Sequence, residues 1–268
     1  MPTAALSLTD VTCTFPARGA VRGSYTAVQG ATLTVADGEF VALVGPTGCG
    51  KSTLLNVAAG LLAPTGGTAA VFGEPLRGIN RQAGYLFQAD ALFPWRNALD
   101  NVAVGLEFRG VARERARAQA MEWLRRVGLA QHVTKYPHEL SGGMRKRVGL
   151  AQMFVLQPRL LLMDEPFSAL DVQTRQLMEN ELLELWAQER RSVLFVTHDL
   201  EEAIALADRV VVLAAGPATR PIAEFIIDLP RPRDVQEVGL QPRFLELHGQ
   251  VWHALKNEVM KAHERADA

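Results

Sequence analysis

The sequence predicts an α/β fold with a mainly parallel core sheet, an antiparallel β part at the N-terminus and an inserted helical subdomain. Three observations carry that expectation. The apolar run Phe40–Val44 ends at a glycine, passes into a glycine-rich loop and then into a helical pattern. Three further apolar runs, LLLM (160–163), SVLFVT (192–197) and RVVVL (209–213), return after or between helix-like segments, as strands buried on both faces of a parallel sheet do. The opening stretch instead alternates short apolar runs with turn residues, which is the pattern of hairpins.

In chain order, LSLTDVTCTF, PARGAVRGSY and ATLTVADGEFVALVG give strands and connecting turns, and Ser52 to Ala59 gives a helix behind the glycine loop. From Gln88 to about Gln157 the chain turns helical. Arg113 to Val127 sets Ala116, Ala120, Trp123, Leu124 and Val127 on one face and Arg and Glu on the other. A helix with Met178, Leu182, Leu185 and Trp186 in register separates the strands LLLM and SVLFVT. After Gly216 a Pro- and Arg-rich segment, DLPRPRD, leads into a helix expected from Phe244 to Ala262. The expected organisation is one domain over 1–235, with a helical subdomain at about 88–157 inserted in its α/β core, and a short helical extension over 236–268.

Composition limits the function classes. With 28 Lys+Arg against 29 Asp+Glu and a net charge of −1, the chain lacks the basic excess that drives nonspecific nucleic-acid binding, so no nucleic-acid partner is expected. The two cysteines, Cys13 and Cys49, form neither a CxxC nor a His/Cys cluster, which suits a reducing compartment and no structural zinc. The start, MPTAALSLTD, has no basic region ahead of an apolar core, and no apolar run approaches the roughly 18 residues of a membrane span. The expectation is a cytosolic chain that meets a membrane through a partner.

GPTGCGKS, residues 45–52, fits the pattern G-x-x-x-x-G-K-[ST] between a strand and a helix. Gly48 and Gly50 let the backbone fold back and aim successive N–H groups at phosphate oxygens. Lys51 would reach the β and γ phosphates, Ser52 would bind Mg²⁺, and the positive end of the helix points at the site. Gly45, Pro46, Thr47, Cys49 and Thr53 complete the nucleotide-binding stretch; Cys49 fills a small-residue slot, and its alkylation is expected to inhibit. LLLMDEP (160–166) supplies the other half: Asp164 at the strand end for the Mg²⁺ shell and Glu165 to polarise an attacking water. His198 ends a parallel strand on the side where ligands gather and reads as a γ-phosphate contact, while Asp199 and Glu202 read as a reciprocal helix cap. LSGGMRKR (140–147) is a second candidate anion site, with Ser141, Gly142 and Gly143 ahead of a basic run that reads either as part of that site or as a solvated helix face.

Together these motifs resemble the ATP-binding subunit of an ABC transporter, with GPTGCGKST (45–53), Gln88 after GYLF, LSGGMRKR, LLLMDEP, SALD (168–171) and His198 in order over about residues 6–235. The resemblance implies ATP and Mg²⁺ as cofactors and an ATP hydrolase. It implies that Gln88 sits at the lobe hinge and senses the metal and the attacking water, and that Asp171 helps link two active sites. An N-terminal aromatic would stack on adenine, Phe15 fitting that place better than Tyr25. It further implies that Ser141 and Gly143 contact the γ phosphate held by a second subunit arranged head to tail. Met144 and Gln152 depart from the residues frequent at their positions, glutamine and arginine.

ALFPWRNALDNV (91–102), LFVTHDLEEAIALADRVVVL (194–213) and DLPRPRD (228–234) resemble the ATPases of nitrate, sulfonate, taurine and bicarbonate importers. That implies a second copy or related ATPase subunit, an integral membrane permease and, indirectly, an extracytoplasmic solute-binding protein as partners, at the cytoplasmic face of the membrane. Phe93, Pro94 and Trp95 read either as wall of the permease-receiving groove or as lobe core. Two rival classes remain: a soluble ABC-type ATPase acting on nucleic acid or ribosomes, which would carry a long coiled-coil insertion or a second nucleotide domain, and a phosphate-loop kinase, which would not need LSGG or SALD.

Overall fold

The computed structural model describes residues 3–16 and 23–266, so the turn expected in PARGAVRG falls largely outside the described residues. Strands β1 (Leu6–Pro16) and β2 (Ser24–Val35) pair antiparallel and are followed by β3 (Phe40–Val44) and helix α1 (Lys51–Ala58). Next come β4 (Gly66–Val71), β5 (Glu74–Pro75) and β6 (Ala83–Leu86), then helices α2 (Ala98–Phe108), α3 (Arg113–Arg126) and α4 (Gly142–Phe154). The chain returns to the sheet in β7 (Leu160–Asp164), α5 (Val172–Glu189), β8 (Ser192–Val196), α6 (Leu200–Leu206), β9 (Arg209–Leu213) and β10 (Pro221–Ile226), and closes with α7 (Val235–Val238) and α8 (Pro242–Ala266).

Two sheets result. A four-stranded antiparallel sheet runs β2-β1-β4-β5, and a six-stranded sheet runs β10-β9-β3-β8-β7-β6, parallel except for the β10 edge. Every residue of β3, β8 and β9 is buried, because both faces of the parallel sheet are covered. The two-residue period of a strand divides these residues between two cores. Phe40, Ala42, Val44, Phe195 and Met163 face the core shared with the helices, whereas Val41, Leu43, Leu194 and Leu162 face α1 and the antiparallel sheet. Phe40 is the hub of the first core, edge-on to Trp186 and tilted against Phe195 at centroid distances of 5.7 and 5.8 Å.

Helices α2, α3 and α4 lie between β6 and β7 and bury the face expected of the Arg113 segment, with Trp123 stacked on Phe154 at 5.4 Å. Asn97 caps α2 through the Asp100 N–H, and buried Asn101 accepts from the Phe93 N–H at 2.7 Å while donating to the carbonyls of Phe93, Arg96 and Asn97. That one amide therefore fixes the loop carrying Phe93, Pro94 and Trp95. The final helix is longer than the expected span and packs Phe244, Leu247, Val251 and Leu255 into the main core. Among the described residues no helix is long and apolar enough to cross a membrane.

Candidate active site

The carboxyl ends of β3, β6, β7 and β8 lie side by side, so the loops that follow them converge, which is where ligands collect in sheets of this kind. The loop after β3 needs its glycines. Gly48 and Gly50 have φ of 73° and 114°, and a Cβ on Gly50 would stand 3.0 Å from Thr219. Lys51, 5% exposed, donates from Nζ to the carbonyls of Gly45 and Pro46 at 2.9 and 3.1 Å and lies 3.9 Å from Glu165 Oε1. Its charge is thus held at the loop mouth by carbonyl dipoles and one carboxylate. Thr47 and Ser52 are exposed, while Cys49 is buried behind the loop, and burial pushes its thiol above the usual range. The expectation that Cys49 is open to alkylation is therefore corrected: its Sγ occupies the space a Gly45 side chain would need.

Asp164 ends β7 and accepts a hydrogen bond from Ser52 Oγ at 3.0 Å; the Tyr85 hydroxyl reaches its other oxygen at 3.5 Å and Asn56 Oδ1 at 3.2 Å. Burial raises the Asp164 carboxyl above its ordinary value, helped by the charge of Glu165 and opposed by the Ser52 bond. Tyr85 was not singled out from the sequence, although its place in β6 beside β7 makes contact with the strand-end acid natural; burial and Asp164 push its phenol up.

Glu165 follows in the left-handed region at φ 42°, a costly conformation for a side chain with a Cβ. Its N–H donates to Val196 O at 2.9 Å and its carbonyl accepts from Ser168 Oγ at 3.0 Å, so β8 and the SALD segment hold it in this pose. The carboxylate is flanked by Gln88 Nε2 at 3.4 Å and His198 Nδ1 at 3.0 Å, both on the same Oε2. Lys51, Ser52, Gln88, Asp164, Glu165 and His198 thus meet at one place. Asp199 caps α6 through the Glu201 and Glu202 N–H groups as expected, but the reciprocal half is absent: Glu202 turns inward, is buried, and bonds the Thr197 hydroxyl.

Other candidates lie apart. Among the described residues no hydrogen bond or ion pair joins Ser141, Gly142, Gly143 or Asp171 to the phosphate loop. They form a second cluster: Ser141 caps α4 through the Met144 N–H, Asp171 caps α5 through the Thr174 N–H, and a Cβ on Gly143 would stand 2.7 Å from Thr174 Cγ2. Phe15 and Tyr25 are directly paired across β1 and β2, so both project from the same face of the hairpin.

The solvated-face reading of Arg145–Arg147 is corrected by the structure. Lys146 is buried and donates to Gln88 O and Phe87 O, Arg145 pairs with Asp90 and donates to Leu140 O, and Arg147 pairs with Glu181. Apart from Leu140 O, these partners lie on β6's exit and on α5, far from α4 in sequence, so a run of like charges gave no local sign of them.

A parallel sheet with this loop between strand and helix, a lysine inside the loop and paired acids after a neighbouring strand defines a phosphate-loop nucleoside-triphosphatase. A family model described as ABC transporter matches residues 28–168. Over 237 residues the chain is 43% identical to the uncharacterized ABC transporter ATP-binding protein MJ0412 of Methanocaldococcus jannaschii, covering 88% of this chain and 86% of that one. It is 42% identical over 231 residues to the taurine import ATP-binding protein TauB of Burkholderia pseudomallei, covering 85% and 88%. Among solved structures, the dimeric post-hydrolysis state of the ATP-binding cassette MJ0796 bound to ADP and Pi aligns with a TM-score of 0.74 at 29% identity, over 84% of this chain and all of that one. The chain belongs to the ABC transporter ATP-binding family and is an ATP hydrolase.

Proposed function

We propose that the chain is the ATP-hydrolysing subunit of an importer for a small anion or organosulfur solute, bound peripherally at the cytoplasmic face of the membrane. The observation that carries the site assignment is the division of the candidate residues into two clusters. One gathers Lys51, Ser52, Gln88, Asp164, Glu165 and His198; the other gathers Ser141, Gly142, Gly143 and Asp171. Two incomplete clusters on one chain are reconciled by two copies, or two related subunits, arranged head to tail so that each phosphate loop faces the other's α4. Dimeric cassettes among the structural relatives support this arrangement.

Within each composite site the N–H groups of residues 45–53 and Lys51 hold the phosphates, and Ser141 with Gly143 from the partner close over the γ phosphate with the positive end of α4. Phe15 stacks on the adenine. The hydroxyl of Ser52 and the carboxylate of Asp164, joined at 3.0 Å, are hard oxygen donors that fit Mg²⁺ held by few protein ligands, and the amide oxygen of Gln88 would add a third. An ion bound there would supply positive charge against the charge that develops on the phosphates. Glu165 takes the proton of the attacking water, while Gln88 and His198 orient it by their bonds to its carboxylate.

The solute class rests on the likeness to the taurine importer subunit and on the segments around 91–102, 194–213 and 228–234. A cavity of about 320 Å³ lies between the α2–α4 helices and β6, walled by Phe87, Leu92, Phe93, Phe108 and Met153, with Arg145 and Lys146 at its polar side. Phe108 is 77% exposed, and an apolar groove of this kind suits a cytoplasmic helix of the permease. The solute-binding protein acts on the far side of the membrane, without touching this chain.

The test is Glu165→Gln. Hydrolysis should fall by about 100-fold or more, and the variant should form a stable dimer with ATP. A variant that stayed monomeric and turned over normally would remove both the base and the shared site. Phe108→Asp should abolish co-purification with the permease; retention would remove the groove assignment.

A further inference from the structure

Lys146 stands in the second turn of α4, the helix that opens with Ser141, and its side chain is only 5% exposed. Its ammonium donates to Gln88 O at 2.6 Å and to Phe87 O at 3.3 Å and pairs with Asp90 Oδ1 at 3.3 Å. An ammonium has three N–H donors, and these three acceptors use them all. Asp90 is itself held on its other oxygen by Arg145 Nε at 2.6 Å, so one carboxylate lies between the two cations and is fixed in place for Lys146. β6 ends opposite Met163 at Leu86, and the carbonyls of Phe87 and Gln88 have already left the sheet ladder. Among the described residues, Gln88 makes two hydrogen bonds: its carbonyl accepts from Lys146, and its amide donates to Glu165.

We infer that Lys146 is a positioning residue for ATP hydrolysis: by gripping the main chain at Phe87 and Gln88 it keeps the Gln88 amide on Glu165, and it ties that register to the helix carrying Ser141. The inference rests on the reading of Glu165 as the base. The exit from β6, bearing an exposed glutamine, has no sheet partner to set its place. A buried three-point ammonium supplies one, and small displacements at a reacting group are expensive in rate. The same contact makes α4 and the Gln88 loop move as one body. A partner's nucleotide engaging Ser141 would then be sensed at this chain's own Glu165.

The experiment uses the full chain with steady-state MgATP hydrolysis and fluorescent-nucleotide binding. Lys146→Met, which keeps the apolar stem and removes the donors, should lower kcat about 10-fold with KM and nucleotide affinity within about twofold. Lys146→Arg, which restores cationic donors, should recover most of the loss. In a double-mutant cycle, adding Gln88→Ala to Lys146→Met should cost little beyond either change alone, because both interrupt one relay. Full kcat in Lys146→Met overturns the inference. So does a rise in KM that accounts for the loss with no recovery in Lys146→Arg, and so do fully additive losses with Gln88→Ala. Should Lys146→Met not fold, Lys146→Gln, which is shorter and has two N–H donors instead of three, takes its place in the cycle: a lowered kcat that Gln88→Ala does not deepen supports the inference, and full kcat or additive losses overturn it. Glu165→Gln run alongside separates the two failures, since normal turnover there removes the base reading whatever Lys146 does.

Discussion

Replacing Glu179 by glutamine should stabilise the folded chain at neutral and alkaline pH while changing little in acid. Glu179 lies on α5, 2% exposed, beside Glu202 of α6, which is also buried. Burial, reinforced by the charge of Asp199 and opposed by Arg175, pushes the Glu179 carboxyl from its ordinary 4.5 up to about 7, and Glu202 is raised by burial as well. Glu202 Oε1 lacks a hydrogen-bond donor in the ionised pair, a need that a protonated Glu179 would meet. The folded chain therefore keeps a proton that the unfolded chain releases. Below about pH 4.5 both states carry it, and stability falls as pH rises from there to about 7, where the folded group also lets go. The shift corresponds to about 3 kcal/mol once both states are ionised. Glutamine cannot ionise, and its N–H₂ can serve Glu202 Oε1 in place of the proton. For a chain of this size 1 kcal/mol moves Tm by roughly 2–4 °C, so Glu179→Gln should melt roughly 6–12 °C above wild type at pH 8.5, with the gap closing near pH 4. Calorimetric melts across that range measure it. A Tm at or below wild type at every pH would mean that the ionised carboxylate stabilises the fold through Arg175, and the reasoning would fail.

Three further outcomes follow from the geometry. Ser141→Arg should leave nucleotide binding by the monomer nearly intact and abolish turnover; loss of binding by the monomer, read by fluorescent-nucleotide titration, would place Ser141 in its own chain's site. Cys13 and Cys49 are each 2% exposed, with thiols raised by burial, so iodoacetamide at pH 7.5 should label neither until urea is added, and rapid native labelling with loss of hydrolysis would contradict the packing behind the loop. Asn101→Ala removes the amide that holds the Phe93 loop and strands the Phe93 N–H, so stability should drop by about 2–3 kcal/mol in urea titration, with weaker permease association; an unchanged midpoint would show that the loop is held by other contacts.

The strands were legible because burial on both faces leaves uninterrupted apolar runs: Phe40–Val44 and Arg209–Leu213 fall where the sequence puts them. The α3 face was legible from period alone. Boundaries moved where backbone geometry decided them, as at Lys51, which opens α1 directly behind a left-handed Gly50. Side chains whose partners are distant in sequence were not legible. Lys146 looked like one more solvated cation, since its acceptors belong to the β6 exit, and Glu202 looked like a cap until Thr197 claimed it. Glu179 did leave a trace, sitting three and four residues before Leu182 and Leu183 on a buried stripe where a carboxylate needs a reason. Lys51, Ser52, Asp164, Glu165 and His198 converge because each follows or ends a strand of one parallel sheet, which the order of motifs and strands already implied; Gln88 joins them behind β6, a four-residue strand with no apolar run of its own, and only the resemblance pointed to it.

The central claim is that each site is built from two chains, and mixing two inactive variants tests it most directly. Lys51→Met spoils only the phosphate loop, and Ser141→Arg spoils only the segment offered to the partner. A mixed dimer would contain one site with both halves intact, so combining the two proteins with ATP should restore hydrolysis, up to about a quarter of the wild-type rate if sites act independently and chains pair at random. Two variants that stay inactive alone and together, under conditions where mixed dimers are demonstrably present, would contradict the shared site.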